Sequence, residues 1–185
     1  MKRSFIREIL EHTNSQTISF AGGLPTASLF PHEALRTSAN RVLKDANILQ
    51  YGRSTGYEPL KEKIADLYNQ EGFNTSAENI LITSGSQQAL DIICRYHANQ
   101  KISIESPSYL GAMNIFRLNN LKQEAIDLNS SGIDIEAFEE SFIDSKLAYL
   151  IPDFQNPTGI SYGQDKREDI ANIIYPSSNK TKHIV

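Results

Sequence analysis

Three short stretches of this 185-residue sequence combine small, polar and aromatic residues in patterns that could hold a ligand. In "ITSGSQQALDII", Gly85 and Ser86 separate an apolar, strand-like run from a helix whose buried face is Leu90, Ile93, Cys94 and His97. The N–H groups at a helix start are unpaired and lie at the positive end of the dipole. A Gly-Ser turn there can hold a phosphate, with Ser86 and Gln87 adding side-chain donors. The same Ser86 also suits a plain N-cap, which needs no ligand. In "ESPSYLGA", Tyr109 falls near the first turn of the next helix, where its ring can stack on a flat ligand or pack beneath a loop. In "DFQNPTG", Pro157 restricts Asn156 to extended backbone and permits a cis bond, aiming the asparagine amide at a phenolate or carboxylate. Asn-Pro and Thr-Gly are equally common turn pairs.

Each stretch follows an apolar run, and from about residue 78 such runs alternate with helical periodicity. "NILIT", "KISIE", "EAIDL" and "LAYLI" read as strands. Helices are predicted from Ser86, from about Ser108, on the face Ile135, Phe138 and Phe142, and on the face Ile170, Ile173 and Ile174. Strands alternating with helices predict an α/β, three-layer sandwich with a mostly parallel sheet, because parallel neighbours need crossover connections. All three polar stretches then lie at carboxyl ends of strands, the rim where open α/β sheets bind ligands. Upstream, Ser4 is a plausible cap for a short helix carrying Phe5, Ile6, Ile9 and Leu10, and "ISFAGGLPTASLFP" reads as loop. Further helices are expected over Leu35–Ala46 and, after "LQYGRSTGYEP", over Leu60, Ile64, Leu67 and Tyr68, stopping at Gly72. His183 to Val185 could begin one more strand.

Composition narrows the function classes. Eighteen Lys+Arg against 22 Asp+Glu give a net charge of -4, with no basic run to neutralise a phosphate backbone, which argues against nucleic acid as a partner. Cys94 is the only cysteine and the four histidines are scattered, so no zinc spacing and no intramolecular disulfide is available; a reducing, cytoplasmic setting is expected. No apolar run reaches the roughly 20 residues needed to span a bilayer. The opening "MKRSFIREILEHTNS" lacks the uninterrupted apolar segment of a signal peptide. No G-x-G-x-x-G follows the early strand, which disfavours a dinucleotide-binding domain.

A phosphate cradle, a ring-stacking face and an aimed amide on one rim suit pyridoxal phosphate. The segments "FAGGLPTASLFP", "LQYGRSTGYEPLKEKIADLY", "ILITSGSQQALDII", "IESPSYLGAMNIFR" and "YLIPDFQNPTGISY" resemble, in order and spacing, the class I/II aminotransferases of PLP-dependent transferase fold type I, nearest to the 2-aminoadipate and kynurenine aminotransferase-like group. The resemblance runs over about residues 4 to 175. It implies residues 1–55 as an N-terminal arm and small-domain segment, and 56–185 as the first half of a cofactor-binding large domain, incomplete here. It further implies that Ser86 and Gln87 bind the cofactor phosphate, that Tyr109 stacks on the pyridine ring, and that Asn156 bonds the phenolic oxygen near the substrate carboxylate. Tyr51 would reach the phosphate, and the substrate pocket, of a neighbouring subunit in a homodimer, and Gly23 would line the substrate pocket by backbone approach.

The implied reaction moves an amino group from an L-amino acid to a 2-oxo acid. In this family it rests on a lysine that forms an internal Schiff base with the cofactor and then shuttles a proton. The family also has an aspartate facing the pyridine nitrogen and an arginine pairing with the substrate carboxylate. All three lie beyond the segment matched here. Lys166, Lys180 and Lys182 are the lysines after Asn156, none in the family's context; Lys166 is expected on a solvated helix face and the other two in a polar tail. No residue of this chain is therefore assigned as catalytic, and the expected state is a fragment inactive by itself. The alternatives are a non-catalytic phosphate- or cofactor-binding module, or one half of a split enzyme whose open sheet edge pairs with the other.

Overall fold

The computed structural model describes residues 12, 14, 16–18, 25–175 and 182–185. The helix expected after Ser4, and Gly23, lie outside the described residues. The chain divides into two compact units, Met1–Gly52 and Arg53–Val185. In the first, helix α1 (His32–Val42) is flanked by single 3₁₀ turns at Ala27–Leu29 and Ala46–Leu49, the latter capped by Asp45, whose carboxylate accepts from Asn47 N at 2.9 Å. The helix buries none of its residues, and Leu35, Val42 and Leu43 are exposed.

In the second unit helix α2 (Glu58–Gln70) starts with Pro59 in its first turn, a position where a missing N–H costs nothing. The sheet is built from β1 (Lys101–Ser106), β2 (Lys122–Asn129), β3 (Gly132–Ile133), β4 (Leu147–Tyr149) and β5 (His183–Ile184), in the order β3-β2-β1-β4-β5. β1 runs parallel to both β2 and β4, and β4 runs parallel to β5; only the short β3 is antiparallel, to β2. The helices are α3 (Ser86–Tyr96), α4 (Leu110–Leu118), α5 (Ile135–Asp144) and α6 (Gln164–Ile174).

Alternation along the strands sorts side chains into two cores. Ile102, Ile104 and Leu147 join Leu90, Cys94, Ala112, Ile115 and Phe116 of α3 and α4 on one face. Ile126 and Ala148 join Phe138, Phe142 and Ile170 of α5 and α6 on the other. Each fully buried phenylalanine contributes roughly 1.5–3 kcal/mol. This is the expected three-layer sandwich. The crossovers through α4 and α5 move in opposite directions along the sheet and lie on opposite faces, so they share one hand, as right-handed crossover units require.

One expected strand is absent. A 3₁₀ turn at Ala77–Asn79 leads into the "NILIT" segment, which is extended at Ile80 and does not join the described sheet. Its short continuous apolar run suits a buried strand, but a ladder needs a neighbour. The segment's backbone N–H groups donate from Ile80 to the Ala77 carbonyl at 3.2 Å and from Ile82 to the Thr55 carbonyl at 3.1 Å. Helix α4 also begins two residues later than expected, at Leu110.

Candidate functional site

The sheet order selects the place. From β1 the chain steps through α4 to β2 on one side, then returns through α5 to β4 on the other. The reversal falls between β1 and β4, and at such switch points open α/β sheets leave a crevice beyond the carboxyl ends of the strands. β1 ends there in Ser106, cis-Pro107, Ser108 and Tyr109; β4 leads there into the segment that carries Asn156 and cis-Pro157.

Helix α3 brings the third stretch to this rim. Its N-cap is Gly85, with φ 89° and ψ 175°, not Ser86, which is the first helical residue. A serine would strain in that backbone conformation, so glycine takes the cap although serine is the better capping side chain. The cap supplies no side-chain hydrogen bond. The turn is held instead by Ser84 N donating to Gln88 Oε1 at 2.6 Å and Thr83 Oγ1 donating to the Gly85 carbonyl at 3.1 Å. The positive end of α3 is thereby left without a capping acceptor, beside the exposed Ser86 and Gln87.

Gln87 Nε2 donates to the Tyr109 hydroxyl at 3.1 Å, joining the helix start to the second stretch. Tyr109 is half-buried against the α3–α4 core and is the N-cap of α4. Gly111 makes room for this arrangement, because a Cβ there would lie 2.5 Å from the Tyr109 hydroxyl and from Gln87 Nε2. The adjacent Ser108 hydroxyl is buried with no hydrogen-bond partner among the described residues.

The third stretch is tied to the second by Gln155, whose Nε2 donates to the Pro107 carbonyl at 2.8 Å. Its Oε1 accepts from Thr158 N at 3.0 Å and Thr158 Oγ1 at 2.7 Å, closing the turn around Asn156. Gln155 is buried and Asn156 exposed, so the chain fixes the backbone on either side and leaves the asparagine amide at the surface. Ser86, Gln87, Tyr109 and Asn156 thus belong to three segments linked by hydrogen bonds on one rim. Uncapped N–H groups, an aromatic ring held by its hydroxyl and an outward amide form a donor set that fits a small phosphorylated aromatic ring.

Gly111 and Gln155 were not distinguishable in sequence from a helix residue and a turn residue. A glycine two positions after an aromatic helix cap was the available signal for Gly111. Tyr51 belongs to the other unit and is 99% exposed. Lys166 departs from the solvated role expected of it: it is half-buried, and its Nζ donates to the Ile133 carbonyl at 2.8 Å, because α6 lies over the end of β3. Lys182 likewise is no free tail residue; its Nζ bonds the Phe142 and Ile143 carbonyls at the end of α5, 4.7 Å from the Phe142 ring centroid. Asp153 pairs with Arg167 at 2.6 Å, and this guanidinium holds its carboxyl below the usual range. Burial, with Asp91 nearby, pushes the Cys94 thiol up to about 11, in keeping with a core residue and not a nucleophile. Among the described residues no group of His, Cys, Asp and Glu could hold a metal ion, and no helix is long and apolar enough to cross a membrane.

Comparison with known proteins places the chain in a family. Residues 18–177 match the family model "Aminotransferase class I and II". The chain is 39% identical over 166 residues to the 2-aminoadipate transaminase of Thermus thermophilus, covering 86% of this chain and 41% of that protein. It is 35% identical over 186 residues to aromatic-amino-acid aminotransferase 1 of Thermococcus litoralis, covering 94% and 45%. Among solved structures, Pyrococcus horikoshii kynurenine aminotransferase in complex with PMP superimposes with a TM-score of 0.86 at 32% identity, over 100% of this chain and 48% of that one. The Thermus thermophilus α-aminoadipate aminotransferase complexed with N-(5'-phosphopyridoxyl)-L-leucine gives 0.82 at 33% identity, over 99% and 46%. The chain spans less than half the length of these relatives. With its sheet order and this match over most of its length, the chain belongs to the class I and II aminotransferases, a pyridoxal phosphate-dependent family of transferase fold type I.

Proposed function

We propose that this chain carries the cofactor-cradling part of an aminotransferase of the 2-aminoadipate and kynurenine aminotransferase-like group. Its substrates are an L-amino acid donor and a 2-oxo acid acceptor, and it works as a homodimer in the cytoplasm when joined to the remainder that its relatives possess. The observation that carries this reading is the Gln87–Tyr109 hydrogen bond at an uncapped helix start, on the same rim as Asn156. When bound, pyridoxal phosphate supplies the electron-withdrawing ring on which amino-group transfer depends. The N–H groups of Ser86 and Gln87, with the Ser86 hydroxyl, bind the phosphate. Tyr109 presents its ring to the pyridine and is kept in place by Gln87. Asn156 donates its amide to the phenolic oxygen and lies beside the substrate carboxylate. Gly23 leaves space for substrate, and Tyr51, exposed on its own chain, reaches the cofactor phosphate and substrate pocket of the partner subunit.

By this reading the chain binds cofactor without a covalent link and does not turn over alone. Lys166 and Lys182 commit their ammonium groups to carbonyls of Ile133, Phe142 and Ile143. Titration with pyridoxamine 5'-phosphate, which cannot condense with lysines, tests the reading by calorimetry. One saturable site that discriminates against unphosphorylated pyridoxamine is expected; equal binding of the two, or none, contradicts it.

The extended Ile80–Thr83 segment favours a second reading in which the chain is half of a split enzyme. It borders an apolar groove of about 670 Å³ lined by Leu60, Ile64, Tyr68, Phe73 and Leu81, with Leu81 half exposed. A strand from a complementing polypeptide would cover it. Co-expression with the C-terminal half of a relative should then give a yellow complex that survives purification, and two separately eluting chains would exclude it.

A further inference from the structure

Glu105, the penultimate residue of β1, lies on the α5–α6 face of the sheet and is 1% exposed. A carboxylate so deep is costly unless donors surround it. Three do. Ile151 N donates to Oε1 at 2.9 Å, the Tyr162 hydroxyl donates to the same oxygen at 2.5 Å, and Gln155 Nε2 donates to Oε2 at 2.9 Å. Both carboxylate oxygens therefore accept from donors that the fold holds in place. The Tyr162 phenol is driven strongly upward by its burial and by this bond, so it remains a donor throughout the working pH range.

These partners are not scattered. Ile151 is the second residue after β4, Gln155 precedes Asn156, and Tyr162 anchors the far side of the same loop, where its N–H donates to the Pro152 carbonyl at 2.8 Å. Gln155 Nε2 has two protons: one goes to Glu105 and the other to the Pro107 carbonyl, two residues before Tyr109. Glu105 therefore fixes which way the Gln155 amide faces. That amide then fixes the separation of the Tyr109 segment from the Asn156 segment. With the amide reversed, Gln155 would present Oε1 to both the carboxylate and the Pro107 carbonyl and lose its bonds to Thr158.

We propose that Glu105 is a positioning residue of the cofactor rim, holding the Tyr109-bearing and Asn156-bearing segments in register through Gln155. The proposal rests on the reading of this rim as the cofactor site and concerns a group that touches neither cofactor nor substrate. Buried polar networks of this kind fix a unique geometry when fully satisfied and fail as a unit when one member is lost.

The test compares Glu105→Gln with Phe142→Leu, a core substitution on α5 chosen to lower thermal stability to a similar degree. Affinity for pyridoxamine 5'-phosphate is expected to fall about tenfold or more in Glu105→Gln, the scale of a displaced hydrogen-bonding group, and to stay within about twofold of the unaltered chain in Phe142→Leu. Equal affinity in the two variants overturns the proposal. Tyr162→Phe removes one donor and keeps the carboxylate; it is expected to shift affinity in the same direction by a smaller factor, and it serves if Glu105→Gln does not fold. Amide hydrogen exchange gives a readout independent of the cofactor. Ser106–Tyr109 and Gln155–Gly159 should both exchange several-fold faster in either variant at Glu105 or Tyr162 than in Phe142→Leu, and acceleration of one segment alone, or of neither, refutes the coupling. If the unaltered chain binds no pyridoxamine 5'-phosphate, the function reading fails while this exchange result still decides the role of Glu105.

Discussion

A methyl group at position 111 would sit 2.5 Å from both the Tyr109 hydroxyl and Gln87 Nε2, the far ends of two side chains that can swing away. Gly111→Ala is therefore expected to cost little stability, the more so because alanine favours helix by about 1 kcal/mol over glycine. It should nonetheless break the Gln87–Tyr109 bond and weaken pyridoxamine 5'-phosphate binding about tenfold. Calorimetry beside thermal unfolding checks the split; a loss of stability without loss of binding would contradict it. The segments carrying Gln87, Tyr109 and Asn156 were legible in sequence and are linked by hydrogen bonds on one rim, although the run before Gln87 joins no strand of the described sheet. Their supporting contacts were not legible. Ser86 looked like a cap because serine caps well, yet the turn requires φ 89°, which falls to Gly85. Glu105 looked like an ordinary strand end, although an acid directly after Ile102-Ser-Ile in a parallel strand faces the interior on one side or the other.

Between β4 and α6 the chain is held by Arg167. Its guanidinium donates to the Pro152 carbonyl at 3.0 Å, the Tyr162 carbonyl at 3.1 Å and both oxygens of Asp153. Arg167 lies four residues beyond the N-cap of α6, so this helix clamps both ends of the loop that carries Asn156. Hydrogen bonding from Arg167 lowers the Asp153 carboxyl below its ordinary 3.8. Because the folded value is the depressed one, the stabilising contribution of this pair is present above the unfolded value and disappears as pH falls through the folded one. Carboxyl NMR titration should place the Asp153 midpoint below 3.8 in the unaltered chain and return it toward 3.8 in Arg167→Gln. An unchanged midpoint would mean that the ion pair is not formed in solution. Helical periodicity located α2 through α6 because each shows one apolar face. Sequence pattern misjudged Ile80–Thr83 because a short apolar run reports what suits a buried strand, whereas the ladder depends on a pairing neighbour that local sequence does not specify.

Taken as a whole, the second unit has two cores, one on each face of its sheet, and apolar grooves beside Ile80–Thr83 and beside Ile92, Tyr96 and Ile184. The composition and the alternation of elements were sufficient to foresee the three layers and the mostly parallel sheet. The strand order was not legible, because nothing in periodicity says that β4 returns to the far side of β1. That return creates the switch point, and the switch point gathers the three polar segments. The proposed function requires this rim to receive a phosphorylated pyridine. A crystal structure of the chain with pyridoxamine 5'-phosphate tests it most directly. The phosphate is expected at the N–H groups of Ser86 and Gln87, the ring against Tyr109 and the phenolic oxygen within hydrogen-bond reach of Asn156. A ligand seated anywhere else, with these residues untouched, would contradict it.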